Sequence, residues 1–230
     1  TGLNIMLVTE YARSTQAFAV ESVEDIVRLD WKQVLSADNS GAGRNMVTSI
    51  ARLDGNADGT RLAQVLDVEA ILQMVSPSSA PQIDDSPKVG AELNLRPGTI
   101  ILAADDSFVA RSLIERGLKA MHAPFEMTKS GKEAWDRLNA IADAAEAEGK
   151  TVLDKISLVL TDLEMPEMDG FTLTRKIKQD PRFSKIPVVI HSSLSGSANE
   201  DHVRSVGADA YVAKFVAEDL AKTIRSVLPR

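Results

Sequence analysis

Five polar side chains between residues 105 and 214 have types and spacing that would let them act together. They follow short apolar runs and are Asp105, Asp106, Asp162, Ser192 and Lys214. In an open α/β sheet, ligands bind beyond the carboxyl ends of the strands, where the winding direction switches. If the apolar runs are parallel strands, three carboxylates, a hydroxyl and an ammonium therefore converge on one edge of the sheet.

The three carboxylates determine what such an edge could bind. Carboxylates this close repel one another unless a cation lies among them, and Mg²⁺ is a hard ion that takes a few carboxylates and keeps several waters. Beside that ion, Asp162 could attack a phosphoryl donor. Lys214 and the Ser192 hydroxyl would then stabilise the charge of the transferred group. A single Asp at a strand end is more simply a solvated turn residue, but the whole set at matching ends favours the chemical interpretation.

The elements that must position these residues alternate in type between residues 98 and 230. Apolar runs predict five strands, at 100–104, 124–127, 158–161, 188–191 and 210–213. Helical patterns lie between them, and one begins at Ser130, which forms a capping-box pattern with Glu133. Alternating strands and helices build right-handed βαβ units. The sequence therefore predicts an α/β domain with a doubly wound, five-stranded parallel sheet.

The first 75 residues have a different pattern, in which short apolar or β-branched runs are separated by polar clusters. The runs at 5–9, 16–20, 47–53 and 62–66 predict strands of a small all-β barrel. Asp58-Gly59 favours a hairpin turn between the last two strands. Apolar spacing over 68–75 predicts a short closing helix.

A proline-rich stretch separates the two patterns. Residues 76–97 contain four prolines, at positions 77, 81, 87 and 97. Because proline fixes φ and removes a backbone donor, repeated prolines without periodicity favour an extended tether. We therefore predict an N-terminal domain at 1–75, a linker at 76–97 and a C-terminal domain at 98–230.

The composition excludes several classes of function. The 230 residues carry 26 Lys and Arg against 33 Asp and Glu, a formal charge of −7. Nucleic acid and anionic membranes attract basic surfaces, so neither is an expected partner. The chain has no Cys, which excludes disulfides and thiol chemistry. Its apolar runs are too short to span a bilayer, and no signal peptide is visible, so we expect a cytoplasmic protein.

Four motifs in the second domain resemble those of response-regulator receiver domains of the CheY type. They are ILAADDS at 101–107, LTDLEMPEMDG at 160–170, PVVIHS at 187–192 and GADAYVAK at 207–214. The resemblance implies that Asp162 accepts a phosphoryl group and that Asp105, Asp106 and the Glu164 main-chain carbonyl complete a Mg²⁺ site. It also implies that Ser192 follows the phosphoryl group, that Lys214 pairs with it, and that the Tyr211 rotamer reports the switch.

The second domain departs from the receiver pattern in three places. Phe215 follows Lys214, where family members usually carry Pro, often with a cis bond. A non-proline cis bond costs about 2.5–4 kcal/mol, so the loop after Lys214 is expected to take a different path. Glu164 and Leu194 occupy the variable positions that the resemblance links to phosphoryl lifetime. Residues 132–155 are long for a minimal receiver and are expected to form a solvated helical extension.

The first domain resembles the CheW-like coupling domain of bacterial chemotaxis. The similar segments are AFAVESVEDIV at 17–27, IARLDG at 50–55 and LAQVLD at 62–67. A coupling domain normally has two small β-barrels. Residues 1–75 are therefore expected to represent only part of a coupling domain. A coupling domain fused ahead of a receiver is the architecture of the CheV family.

The two resemblances together imply a non-enzymatic signalling adaptor. Its β domain would bind methyl-accepting chemoreceptors and the chemotaxis histidine kinase, and its receiver would accept phosphoryl from that kinase. Such a protein would associate with membrane receptor arrays only through its partners. Two alternatives stay open: a phosphate sink that drains the kinase, and a phosphatase with an aspartate nucleophile. The phosphatase motif needs Asp and Thr where this sequence has Glu164 and Pro166, which weakens that alternative.

Overall fold

The structure is a computed structural model that describes residues 4–11, 14–30, 33–36, 46–54, 61–75, 92–192, 203–214 and 217–228. The first group of elements comprises β1 (Ile5–Tyr11), β2 (Ser14–Val20), β3 (Val34–Ser36), β4 (Val47–Arg52), β5 (Leu62–Leu66) and α1 (Val68–Val75). The second group comprises β6 (Ile100–Ala104), α2 (Phe108–Ala120), β7 (Phe125–Thr128), α3 (Gly131–Ala147), a 3₁₀ turn (Val152–Asp154), β8 (Ile156–Thr161), α4 (Gly170–Gln179), β9 (Val188–Ser192), β10 (Ala210–Ala213) and α5 (Ala217–Val227).

The second group forms a parallel sheet with the strand order β10-β9-β8-β6-β7. All five predicted strands are confirmed, and their observed ends differ from the predicted ones by at most two residues. The chain winds from β6 toward β7 on one side and from β8 toward β10 on the other. The winding direction therefore switches between β6 and β8, which is where a doubly wound sheet places its ligand site.

Helices cover both faces of this sheet. On one face α3 and α4 pack through a cluster that includes Leu138 and Phe183, and on the other α2 and α5 pack through Leu118 and Ile224. Every residue of β8 and β9 is buried, as expected for parallel strands covered on both sides. Among the helices of the described residues, none is long and apolar enough to cross a membrane.

The cap of α3 differs in detail from the predicted capping box. The Ser130 hydroxyl accepts a hydrogen bond from the Glu133 amide at 3.1 Å, as predicted. The Glu133 carboxylate, however, accepts from the amide of Lys129 at 2.6 Å rather than from that of Ser130. Two hydrogen bonds therefore cap the start of α3, but the amide that binds the Glu133 carboxylate belongs to the residue before Ser130.

The first group of elements forms two antiparallel sheets within the described residues. Strands β1 and β2 pair as a hairpin, and β4 lies between β3 and β5. The four predicted strands and the closing helix are present. The predicted turn at Asp58-Gly59 lies outside the described residues.

The end of the predicted linker packs against the parallel-sheet domain. Leu93 is buried in the cluster beneath α2, and its amide donates to the Met121 carbonyl at 3.2 Å. Residues 76–91 lie outside the described part of the chain. The boundaries at 75 and 97 stay predictions, and the observed packing begins four residues before the second one.

Candidate functional site

The two acidic segments meet at the carboxyl edge of the parallel sheet. Asp105 and Asp106 follow β6, and Asp162 follows β8, the neighbouring strand. One carboxylate oxygen from each of the three residues lies within 4.8 Å of the others. Asp105 and Asp162 are both buried, so water screens their mutual repulsion weakly.

The ammonium of Lys214 lies against two of these carboxylates. Its Nζ is 2.8 Å from Asp105 Oδ2 and 2.7 Å from Asp162 Oδ2. Lys214 directly follows β10, and its backbone amide donates to the Ser192 carbonyl at 2.9 Å. The outermost strand thus brings a positive charge to the residues that follow the two central strands.

The charge of this group fits a hard divalent cation. Three ionised carboxylates and one ammonium leave two formal negative charges in a mostly buried space. Carboxylate oxygens are the donors that Mg²⁺ takes in proteins, and the ion completes its shell with water. Asp105, Asp106 and Asp162 are therefore the residues that could hold it, while Lys214 occupies one side of the cluster.

The remaining predicted site residues lie on or beside the same strands. Ser192 ends β9 and is buried, and Tyr211 lies in β10 and packs against the cluster formed by Leu163, Ile190 and Val203. The Glu164 side chain is exposed, and the resemblance assigns a metal-binding role only to its main-chain carbonyl. Leu194 and Phe215 lie outside the described residues, so their predicted effects stay predictions.

The loop after Asp162 is held in a close approach that sequence reasoning did not single out. The Asp162 carboxylate accepts from the Leu163 amide at 2.7 Å, and the Gly170 amide donates to the Leu163 carbonyl at 2.8 Å. A Cβ at Gly170 would lie 2.0 Å from the Asp162 carbonyl oxygen, a separation that no side chain tolerates. Glycine at 170 therefore lets the start of α4 pack against the backbone of the central aspartate.

Arg111 is a second residue that sequence reasoning missed. Its guanidinium donates to the carbonyls of Asp105 at 2.8 Å and Asp106 at 2.7 Å, and the side chain is buried. Arg111 lies on α2 at a position that faces the core, and a charged residue at such a position is the signal that could have identified it. Its two hydrogen bonds fix the backbone of Asp105 and Asp106 relative to α2.

His191 is a buried, neutral side chain. Burial lowers its pKa to about 3, and the positive charge of Lys214 contributes in the same direction. The imidazole therefore carries no charge at neutral pH. This environment favours a packed side chain over a general base.

The segment at 132–155 contains most of α3, which has one buried stripe, and the connection to β8 that follows it. Ala134, Leu138 and Ala145 of α3 are buried, and the turn that follows carries exposed ion pairs. Hydrogen bonds from Lys155 and Lys150 lower the pKa of Glu148 to about 2. Only the exposed residues 146–151 fit the expected solvated extension, because the earlier part of α3 packs against the sheet.

Two protein families match the chain, one in each half. The response regulator receiver domain matches residues 101–225, and the CheW-like domain matches residues 2–76. The first match covers more than half of the chain. The matched ranges agree with the two groups of elements in the structure.

Named relatives share both halves. Chemotaxis protein CheV1 of Helicobacter pylori is 31% identical over 98% of this chain and 66% of that protein. Chemotaxis protein CheV3 of the same organism is 30% identical over 98% of this chain and 70% of that protein. The chain thus spans about two thirds of the length of these relatives.

A solved structure is similar to the second half. The receiver domain of the histidine kinase CKI1 from Arabidopsis thaliana, complexed with Mg²⁺ and BeF₃⁻, is 30% identical with a TM-score of 0.51. The alignment covers 56% of this chain and 89% of that one. The similarity supports the fold assigned to the parallel-sheet domain.

Proposed function

The chain belongs to the CheV family of chemotaxis proteins, in which a CheW-like domain is joined to a response-regulator receiver domain, and from this we propose that phosphorylation of Asp162 tunes its action as an adaptor. The single observation that carries the proposal is the Lys214 ammonium, which contacts both Asp105 and Asp162 in a buried acidic cluster. An acceptor carboxylate, an acidic pair and a cation are the parts that phosphoryl transfer to aspartate requires.

The residues of the receiver have distinct tasks in the proposed reaction. A carboxylate oxygen of Asp162 attacks the phosphorus of a phosphohistidine on the kinase. The O–P bond forms as the P–N bond breaks, and the electron pair of the broken bond stays on the histidine nitrogen. Lys214 stabilises negative charge on the transferred group, and the Ser192 hydroxyl at the end of β9 donates to it.

Mg²⁺ is the cofactor that we propose for this site. Asp105, Asp106, Asp162 and the Glu164 main-chain carbonyl would hold it. When bound, the ion supplies positive charge that offsets the oxygens of the phosphoryl group. The chain's own contribution is to hold the three carboxylates together and to keep most of the site away from bulk water.

We assign the adaptor role to residues 1–75 and the phosphoryl chemistry to residues 98–230. In this proposal the CheW-like domain binds chemoreceptors and the chemotaxis histidine kinase and keeps the protein at receptor arrays in the cytoplasm. The charge added at Asp162 attracts the Ser192 hydroxyl and redirects Lys214, which already contacts the Asp162 carboxylate. The receiver thereby shifts between two states, with Tyr211 reporting the change.

The test is phosphoryl transfer from a purified chemotaxis histidine kinase, with Mg²⁺ and with EDTA, to the wild type, Asp162→Asn and Asp143→Asn. Asp143 lies on α3 and is exposed, so its substitution is a matched control. We expect label on the wild type and on Asp143→Asn, and none on Asp162→Asn or with EDTA. Equal labelling of Asp162→Asn would overturn the assignment of the acceptor.

A binding measurement separates the adaptor from the phosphate sink. If the protein is a tuned adaptor, its binding to a receptor–kinase complex depends on a small-molecule phosphodonor in the wild type, and Asp162→Asn binds without that dependence. A sink would accept label with no change in binding. Repeated turnover of small phosphoesters in the same preparation would instead support the phosphatase.

A further inference from the structure

A buried hydrogen bond joins the two domains beside the acidic site. The Ser107 hydroxyl donates to Asp67 Oδ2 at 3.0 Å, across 40 residues of sequence. Ser107 directly follows the acidic pair, and Asp67 lies between β5 and α1, within the range that matches the CheW-like family. The bond therefore connects the first domain to the segment that carries Asp105 and Asp106.

Asp67 is fixed firmly within its own domain. Its Oδ1 accepts from the Ala70 amide at 2.9 Å, which caps the N-terminus of α1. Its backbone amide donates to the Met46 carbonyl at 2.7 Å, next to β4. The residue is only 4% exposed. A movement of α1 relative to α2 would therefore move this carboxylate as part of a rigid unit.

Ser107 is equally constrained within the receiver. Its hydroxyl oxygen accepts from the Ala110 amide at 3.3 Å and caps α2. Its backbone amide donates to Asp105 Oδ1 at 2.9 Å. Ser107 is also only 4% exposed. Its hydroxyl and its amide thus join the Asp67 carboxylate to the carboxylate of Asp105.

The arrangement pairs two helix caps, one from each domain. Because both groups are buried when the domains are docked, a change that removes one of them deprives the other of this hydrogen bond while water stays excluded, which is unfavourable. The negative charge of Asp67 also adds to the charge that surrounds the acidic site, which favours a cation there. Both effects act in the same direction: the docked position of α1 supports the cation-binding arrangement of Asp105.

We propose that Asp67, carried by the CheW-like domain, is a positioning residue for the receiver's acidic segment, and that its bond to Ser107 links the docking of α1 to Mg²⁺ binding. This inference rests on the proposed function, since it assumes that Asp105 helps to hold the ion. Linkage is reciprocal: if docking favours Mg²⁺ binding, then Mg²⁺ binding favours docking by the same factor. The receiver would thereby act on its partner domain through a direct contact.

The experiment measures Mg²⁺ affinity by calorimetry on the full chain, for the wild type, Asp67→Ser and Asp25→Ser. Serine is a good N-cap, so Asp67→Ser keeps the cap of α1 but is too short to reach Ser107. Asp25 is an exposed aspartate of the same domain and serves as the control. We expect Asp67→Ser to weaken Mg²⁺ binding by about fivefold, the low end of common coupling factors, and Asp25→Ser to leave it unchanged.

Hydrogen exchange of the amides in α1 provides a second readout. In the wild type, Mg²⁺ should slow exchange across α1, and in Asp67→Ser this response should disappear. A further variant, Ser107→Gly, removes the hydroxyl from the other side at little cost to the cap. If the two residues act through their shared bond, the double variant should bind Mg²⁺ no more weakly than the worse single variant.

The outcomes distinguish this inference from the proposed function. Unchanged Mg²⁺ affinity in Asp67→Ser, with no response of α1 to the ion in the wild type, would overturn the link and leave the receiver chemistry intact. Fully additive effects of Asp67→Ser and Ser107→Gly would also overturn it. A wild-type protein that fails to bind Mg²⁺ would overturn the link and the proposed function together.

Discussion

The two domains bury their apolar side chains to very different extents. In the receiver, all residues of β8 and β9 are buried, and the helices close over both faces of the sheet. In the first domain, large apolar side chains such as Val8 and Ile26 are 62% and 89% exposed, and most of β5 is exposed as well. The receiver is thus stabilised by its own core, whereas the described strands of the first domain leave much apolar surface uncovered by the rest of the chain.

This difference follows from how each sequence is patterned. Continuous apolar runs such as 158–160 suit parallel strands covered on both faces. Antiparallel strands need only one covered face, and β4 shows this with two buried residues among partly buried neighbours. In this chain, the acidic site lies on the domain whose sheet is covered on both faces. Packing of this kind suits a site that must hold three carboxylates at fixed distances.

The largest expected effect comes from truncating a buried leucine of the receiver, with an exposed leucine of the first domain as its counterpart. Leu138 on α3 is fully buried, and Leu138→Ala should lower the free energy of unfolding by about 2–5 kcal/mol because it leaves a cavity. Leu62 on β5 is 60% exposed, and Leu62→Ala should change it by about 0.5 kcal/mol or less. Urea unfolding followed by circular dichroism measures both.

The same pair of variants also shows whether the difference in burial holds in solution. A large loss for Leu62→Ala would show that the exposed face of β5 is covered in solution. Repeating the measurement at two protein concentrations would then reveal whether a second copy covers it, because stability from association depends on concentration. A small loss for Leu138→Ala would contradict the description of the receiver core.

A smaller loss is expected from filling the close approach at Gly170. Gly170→Ala forces a Cβ against the Asp162 carbonyl, so the loop or α4 must shift, at a cost of about 1–3 kcal/mol. Gly117→Ala is the matched control, since a Cβ there meets nothing within 4 Å. In a helix the control should gain roughly 0.5–1 kcal/mol. Thermal unfolding of both variants, with the wild type beside them, gives the difference.

The Gly170 result also tests the difference in packing between the two domains. If Gly170→Ala unfolds at the wild-type temperature, the tight packing of α4 on the Asp162 backbone is not needed for stability. The receiver would then tolerate changes in its packing better than the burial of its side chains indicates, and the two domains would differ less in this respect.

The parts of the fold that could be predicted are those with strong local patterns. Three strands have the same bounds in the structure as in the prediction: β5 at 62–66, β6 at 100–104 and β10 at 210–213. Their apolar runs and flanking polar residues are local signals, so neighbouring residues alone indicate where each strand begins and ends. The acidic cluster could also be predicted, since parallel strands place Asp105 and Asp162 at the same edge.

Other features depend on contacts that no local pattern encodes. The bond between Asp67 and Ser107 joins residues 40 positions apart and arises from the docking of two helices. Arg111 reaches back to carbonyls that precede its own helix, and the distance from Gly170 to the Asp162 carbonyl depends on the path of a whole loop. Such contacts follow from the assembled structure, so spacing alone could not have identified them.

The smallest of the three effects is a pH dependence that should separate the two domains. Burial keeps His191 neutral in the folded state, with a pKa of about 3, whereas an unfolded histidine titrates near its ordinary value of 6.5. As pH falls below 6.5, His191 binds a proton in the unfolded chain but not in the folded chain. The receiver therefore loses stability on acidification, by about 1.4 kcal/mol for each pH unit between the two values. Above pH 6.5 this contribution is constant.

Residues 1–75 contain no histidine, so acidification from pH 7 to pH 5.5 should weaken the receiver while the first domain changes little. Hydrogen exchange of peptides from each half, at both pH values, measures this directly. His191→Gln should remove most of the receiver's response, whereas His122→Gln should keep it because His122 is exposed. If acidification reduced protection from hydrogen exchange equally in both domains, and also in His191→Gln, titratable groups other than His191 would cause the acid response. The domains would then unfold as one unit, and the contrast in burial would not translate into separate stabilities.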